Sequence, residues 1–70
     1  MQSVNRALDV LFHLAGEREP SPAAAIAEDV GLPRPTVYRI LETFVERKIV
    51  NKVGRRFAIA DDEIRRLIRC

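Results

Sequence analysis

Residues 26–44, IAEDVGLPRPTVYRILETF, have the spacing of two helices that cross through a short turn. Ala27 is small enough to let a second helix approach closely, and Gly31 can take the left-handed conformation that ends a helix. Val37 then packs back across the turn. The other apolar positions of this small core are Ile26, Val30, Leu32 and Ile40. Because these positions share one face in each segment, the stretch predicts a helix-turn-helix.

Two helices are predicted before this turn. The first runs from about residue 3 to residue 15 and ends at Gly16. Its predicted buried stripe follows the i, i+3, i+4 rule and consists of Val4, Ala7, Leu8, Leu11, Phe12 and Ala15. The second helix is predicted to begin with Ser21 as N-cap and Pro22 at the first helical position, and to end near Val30.

A third helix and a hairpin complete the predicted fold. The third helix is predicted at about residues 34–47, and Pro33 and Pro35 lie on either side of its first residue. Proline has no amide proton, and at a helix start this costs little free energy because the first amides have no intrahelical partner. The apolar face of the third helix is Val37, Ile40, Leu41, Phe44 and Val45. Over residues 49–59 the periodicity becomes that of two strands joined at Gly54. The sequence therefore predicts a mainly α fold with a small β-hairpin, a winged helix-turn-helix with a three-helix core and a two-stranded wing.

The last ten residues are predicted to form a C-terminal helix. Asp61 is the expected N-cap, with acidic residues in the first turn and arginines later, as the helix dipole favours. One apolar side consists of Ile64, Leu67 and Ile68. We expect residues 1–60 to form the winged-helix domain and residues 61–70 to serve as a linker or a dimer contact.

Charge is distributed unevenly along the 70 residues, although the formal net charge is only +2. Residues 1–33 carry two arginines against five acidic residues, a net charge of −3. Residues 34–60 carry seven Lys and Arg against two Glu, a net charge of +5. This asymmetry indicates a polyanion-binding surface made by the third helix and the wing, with the first half as scaffold.

Several function classes are disfavoured by composition. No apolar run approaches the ~20 residues of a membrane span, and the N-terminus lacks a signal-peptide pattern, so we expect a cytoplasmic protein without membrane contact. One cysteine, Cys70, and one histidine, His13, cannot form an internal disulfide or a structural zinc site, and we expect His13 to be solvated. The acidic residues 61–63 are explained by capping. With no metal, cofactor or catalytic set indicated, we expect no enzyme activity.

The chain resembles the N-terminal DNA-binding domain of IclR-family transcriptional regulators over residues 3 to about 60. The resemblance is carried by SVNRALDVLFHLA at residues 3–15 and AAIAEDVGLPRPTVYRILETFVERKIV at residues 24–50, followed by a short basic wing. Pro35 stands where the family usually has a small hydroxyl residue. The family's larger effector-binding domain has no counterpart in these 70 residues, so we expect no small-molecule effector within this chain.

The candidate DNA-binding residues lie on the third helix and the wing. They are Arg34, Pro35, Thr36, Tyr38, Arg39, Thr43, Lys52, Arg55 and Arg56. The arginines suit phosphate or guanine contacts, although the alternative is a solvated, solubilising role. Tyr38 suits a phosphate hydrogen bond or simple packing. Arg6, at the start of the first helix, is expected to be structural or to contact the DNA backbone.

Two functions remain open on the sequence alone. The first is specific binding of double-stranded DNA, as a homodimer on an inverted repeat, to regulate transcription as a repressor. The second is a winged-helix module that binds a partner protein and no specific DNA. The apolar residues expected to be available for either protein contact are Val10, Leu14, Ile64, Leu67 and Ile68.

Overall fold

The computed structural model describes residues 2–69, which form four helices and three short strands. In chain order these are α1 (Gln2–Gly16), β1 (Ser21–Pro22), α2 (Ala23–Val30), α3 (Arg34–Glu46), β2 (Val50–Val53), β3 (Arg56–Ile59) and α4 (Asp62–Arg69). This is the predicted winged-helix architecture, with a small antiparallel sheet added to a helical core. Cys70, for which no internal disulfide is expected, lies outside the described residues. No helix within residues 2–69 combines the length and apolarity needed to cross a membrane.

The turn between α2 and α3 has the geometry that the sequence predicts. Gly31 has φ +73°, the left-handed region, and its amide donates to the Ala27 carbonyl at 2.9 Å. The Leu32 amide donates to the same carbonyl at 3.1 Å. Ala27 and Val37 are both buried, so the two helices cross on small and β-branched side chains. The predicted helix-turn-helix is confirmed.

The core lies where α1, α2 and α3 meet the sheet. Its buried members are Val10, Leu14, Ala15, Ala23, Ile26, Ala27, Val37, Leu41, Val50, Phe57 and Ile59. The apolar face predicted for α3 is confirmed, because Val37 and Leu41 are fully buried while Ile40, Phe44 and Val45 pack partly buried against the core.

The predicted buried stripe of α1 is wrong in part. Val10 and Leu14, expected to form a contact surface, are buried in the core. Val4, Leu8 and Phe12 are instead exposed, Phe12 to 54%. These three residues lie four apart, so they form one line along the outer side of α1, which we call the α1 ridge. The reason for the error is that apolar residues cover more of the α1 circumference than the core can accept.

His13 is a second correction on α1. Its Nδ1 lies 2.6 Å from Asp29 Oδ2, a hydrogen bond in which the imidazole donates to the carboxylate. The His13 side chain is largely buried, whereas Asp29, near the end of α2, remains mostly exposed. The expected solvated histidine is therefore a link between α1 and the helix that leads into the turn.

Ser21 is not the N-cap of α2. Ser21 and Pro22 are extended and form β1, which pairs antiparallel with β3 in the register Ser21↔Phe57 and Pro22↔Arg56. The helix begins at Ala23 and has no side-chain cap. Pairing with β3 competes with capping here, and Pro22 fits an edge strand because it needs no amide partner. The sheet therefore has three strands in the order β1-β3-β2.

The two-stranded wing is confirmed, with β2 and β3 paired from Val50↔Ile59 to Val53↔Arg56. The connection from α3 to β2 passes through Lys48, a non-glycine residue with φ +65°. Just after it, the Ile49 amide donates to the Phe44 carbonyl at 2.9 Å. This is the bond that closes a helix end around a left-handed residue, so α3 ends in a fixed geometry relative to the wing.

The C-terminal helix is capped as predicted, because the Ile64 amide donates to Asp61 Oδ1 at 2.9 Å. Ile64 and Ile68 pack partly buried against the core, but Leu67 is 80% exposed, so the predicted apolar side is only partly used. An Arg65 guanidinium N–H donates to the Glu17 carbonyl at 3.1 Å. These contacts attach α4 to the end of α1.

Candidate nucleic-acid interface

The start of α3 stands clear of the core. Pro33 is extended at φ −61° and ψ 144°, and the helix begins at the next residue with no side-chain cap. Arg34 and Pro35 are both exposed in this first turn. The first amides of a helix have no intrahelical partner, but Pro35 has no N–H and the Val37 amide donates to the Pro33 carbonyl at 3.1 Å. The Arg34 and Thr36 amides are therefore the ones left for an anion, together with the Arg34 side chain.

The outward side of α3 follows from its buried side. Val37 and Leu41 face the core, so residues about half a turn away from them face solvent. Along that outward side the exposed residues are Pro35, Arg39, Glu42, Thr43 and Glu46. A helix of 13 residues is about 20 Å long, which is enough to lie across a major groove.

A basic cleft of about 380 Å³ lies on one side of α3, where it meets the start of α1. Arg39 and the partly buried Thr36 line it from α3, and Ser3 and Arg6 line it from α1. Arg6 is exposed, so two guanidinium groups from different helices border one open space. The sequence placed Arg6 at the start of α1 without placing it beside the third helix, because that proximity depends on how the two helices pack.

A second cleft, of about 360 Å³, lies on the other side of α3, between this helix and the wing. Tyr38, Glu42 and Glu46 line it from α3, and Lys52 and Phe57 line it from the wing. Here two carboxylates lie among cationic and aromatic groups. The two sides of α3 therefore differ in charge, a difference that follows from the order of residues around the helix.

Tyr38 has a packing contact as well as an exposed edge. Its ring meets the ring of Phe57 edge-on, with centroids 6.5 Å apart and planes at 75°. Lys52 Nζ lies 6.0 Å from the centroid of the same Phe57 ring. Tyr38 nevertheless remains 46% exposed. The contact ties α3 to the wing, and the exposed part of Tyr38 is free to meet a ligand.

The predicted wing residues are all exposed. Arg55 lies in the turn between β2 and β3, next to Gly54 with φ +64°. Arg56 begins β3, and Lys52 lies on β2. The wing therefore presents three cations beside α3, which suits contact with a phosphate backbone.

Thr43 is exposed but its hydroxyl proton is already used. Thr43 Oγ1 donates to the Arg39 carbonyl at 3.0 Å, four residues earlier in the same helix. The hydroxyl can still accept a hydrogen bond. This local bond is common for threonine in helices, and it narrows the predicted role of Thr43 to that of an acceptor.

Comparison with known proteins gives one family match. The model of the IclR helix-turn-helix domain matches residues 3–54, a span that runs from the second residue of α1 through α2, α3 and β2 to Gly54 in the turn of the wing. No curated protein matches the sequence. The matched span contains both arginines of the basic cleft and every candidate residue of α3.

Proposed function

Because the chain belongs to the IclR helix-turn-helix family, we propose that it binds a specific sequence in double-stranded DNA, with α3 in the major groove. The family is one of DNA-binding transcription regulators rather than of catalytic domains. The observation that carries the proposal is the presence of exposed cations on both sides of α3, with Arg6 and Arg39 at the basic cleft and the cations of the wing on the other side. Cations from three separate elements on the two sides of one helix suit the two phosphate backbones that border a groove.

In this proposal each element has a separate task. The outward side of α3 contacts base edges, and the arginines at its first turns contact guanine or phosphate. Arg6 holds one backbone at the basic cleft, while Arg55 and Arg56 hold the backbone on the wing side. Tyr38 keeps helix and wing in a fixed relation through Phe57. Repression follows where the occupied site overlaps a promoter.

A salt titration of duplex binding tests the DNA part of the proposal. The logarithm of the binding constant should fall linearly with the logarithm of salt concentration, with a slope of about −0.9 per phosphate contact. Replacing Arg6 by alanine should make the slope less steep by about one contact. Arg18→Ala is the matched control, since Arg18 is an exposed arginine beyond the opposite end of α1, over ~15 Å from Arg6 along the helix.

Base reading and backbone holding should separate in the same assay. Arg39→Ala should cost about 1 to 3 kcal/mol on the preferred sequence and lower discrimination if Arg39 contacts a base. The double change of Arg55 and Arg56 to alanine should weaken all sequences alike. Salt-insensitive or undetectable duplex binding would refute the proposal and favour the protein-interaction module.

We propose further that the chain acts as a homodimer through the α1 ridge. Val4, Leu8 and Phe12 are exposed on one line, and a symmetric pair centred on Leu8 would set Val4 of one chain against Phe12 of the other. The pairing would repeat α3 at two half-sites, as an inverted repeat requires. Sedimentation of the parent and of Leu8→Asp tests this: the parent should be dimeric and the variant monomeric, and identical masses would refute it.

A further inference from the structure

We propose that Glu42 determines part of the DNA sequence preference, by accepting a hydrogen bond from the exocyclic amino group of a cytosine. The inference rests on the proposed function, since it concerns the same α3 in the same groove. The charge of Glu42 is opposite to that of the basic candidate contacts. Cytosine is the base that this charge selects.

Glu42 occupies a rigid and outward position on α3. The adjacent Leu41 is fully buried, and Val37, one turn before, is also fully buried, so the backbone at residue 42 is held by the core. Glu42 points about 140° around the helix axis from Val37, given about 100° per residue. It is exposed and lies one turn after Tyr38, whose ring is fixed against Phe57. The backbone therefore presents this carboxylate from a fixed place on the outward side of α3.

Glu42 forms no salt bridge among the side chains that the structure describes, although Lys52 lines the same cleft. The ion pairs found among the side chains of residues 2–68 join His13 to Asp29 and Arg65 to Asp62, and neither involves Glu42. An unpaired carboxylate on the face that approaches DNA repels phosphate and weakens binding to every sequence. Its presence on that face is explained if one DNA sequence compensates for it.

The chemistry of the major groove selects cytosine as that compensation. A carboxylate only accepts hydrogen bonds, so it needs a donor on the base edge. Guanine presents two acceptors there and thymine presents an acceptor and a methyl group, so both disfavour a carboxylate. Adenine presents its amino group beside the N7 acceptor, whereas cytosine presents its amino group alone. Cytosine is therefore the base that Glu42 accepts best.

Glu46 provides a matched comparison on the same helix. It is exposed, carries the same charge and lines the same cleft as Glu42. It lies one turn later, about 6 Å farther along the axis, in the last residue of α3. Because the start of the helix enters the groove first, Glu46 is too far along the helix to reach a base edge while Glu42 does.

Selection of bound duplexes from a random pool, carried out with the parent, Glu42→Gln and Glu46→Gln, tests the proposal. The parent should select cytosine at one position of each half-site, and exchanging that base pair should weaken its binding roughly ten-fold. Glutamine forms a paired contact with adenine, so Glu42→Gln should shift the preference at that position to adenine. Glu46→Gln should keep the cytosine. Both variants should bind unrelated duplexes more tightly than the parent, since each loses one negative charge.

The outcomes separate the inference from the function on which it rests. An unchanged base preference in Glu42→Gln overturns the assignment, even if the parent binds DNA specifically. A shift of the same position in Glu46→Gln also overturns it. Parent protein that selects no sequence overturns the proposed function itself, and the inference with it. Unfolding curves of the three proteins should coincide, because both glutamates are exposed.

Discussion

Replacing Leu14 by alanine tests how α1 packs, which is the point where sequence pattern and structure disagree. Leu14 is 1% exposed, within the core, while Leu8 on the α1 ridge is 39% exposed. The pattern of apolar residues favours Leu8 as the buried leucine, and the structure gives that place to Leu14. Leu14→Ala and Leu8→Ala remove the same atoms from the same helix. Their relative cost in unfolding free energy therefore decides which face of α1 is inside.

The expected loss for Leu14→Ala is about 3 kcal/mol. The change removes three buried carbons at roughly 0.8 kcal/mol each, and the cavity left behind adds to this sum. A chain of 70 residues has a total stability of roughly 4 to 10 kcal/mol. One substitution therefore removes between a third and most of the stability. Leu8→Ala should cost about 1 kcal/mol, because part of that side chain is in water already.

Urea unfolding followed by far-ultraviolet circular dichroism measures both losses. With a slope near 1 kcal/mol per molar urea, typical of a small domain, Leu14→Ala should lower the midpoint by about 3 M. Leu67→Ala is the control for a leucine outside the core, since Leu67 is 80% exposed, and its midpoint should hardly move. If Leu14→Ala has no folded baseline, Leu14→Val should still show a loss of about 1 kcal/mol.

Measurements at two protein concentrations separate packing from association. If the α1 ridge joins two chains, the apparent cost of Leu8→Ala should grow with protein concentration, whereas the cost of Leu14→Ala within the core should change little. A larger cost for Leu8→Ala than for Leu14→Ala at low concentration would contradict the burial of Leu14 in the core. So would a cost of less than about 1 kcal/mol for Leu14→Ala.

Substitutions at five further positions test the backbone turns, the α4 cap and the hydrogen bond between His13 and Asp29, each by the same unfolding measurement. Gly31→Ala should lower the unfolding free energy by about 1 to 2 kcal/mol, because φ +73° is unfavourable for a residue with a side chain. Lys48→Gly should raise it by up to about 1 kcal/mol, because glycine adopts φ +65° without that strain. Changes of the opposite sign would contradict the two backbone angles. Asp61→Ala should cost about 1 kcal/mol through loss of the α4 cap, and Asp61→Asn should retain most of it. His13→Ala should cost about 1 kcal/mol, with Asp29→Asn costing less because an amide oxygen still accepts the imidazole proton.

The parts of the fold that the sequence predicts correctly depend on local backbone chemistry. Gly31 has the left-handed φ that its position in the pattern requires, and Asp61 caps the helix that follows it. The hairpin turn also lies at Gly54, as predicted. These features are decided by residues within one or two turns of each other. Short-range preferences are therefore enough to predict them.

The features that the sequence misses depend on contacts between distant segments. Ser21 has the side chain of an N-cap, but its backbone pairs with Phe57, which is 36 residues away in the chain, and this pairing is not visible in the local pattern. His13 gains its partner Asp29 only when α1 packs beside α2. The proximity of Arg6 to Arg39 arises in the same way. In the candidate site, residue types and exposure follow from periodicity, and their grouping into two clefts does not.

The error on α1 is itself informative about assembly. Counted around the helix at about 100° per residue, the apolar positions from Val10 to Phe12 span roughly 200°, about twice the width of a stripe that packs against one core. The sector that contains Val10 and Leu14 packs in the core, and the sector of Leu8 and Phe12 remains partly exposed to solvent. A monomer buries the second sector only in part, whereas a symmetric partner would cover the rest of it. The width of the apolar arc therefore supports the proposed homodimer, on the α1 ridge rather than on the residues that the sequence pattern favours.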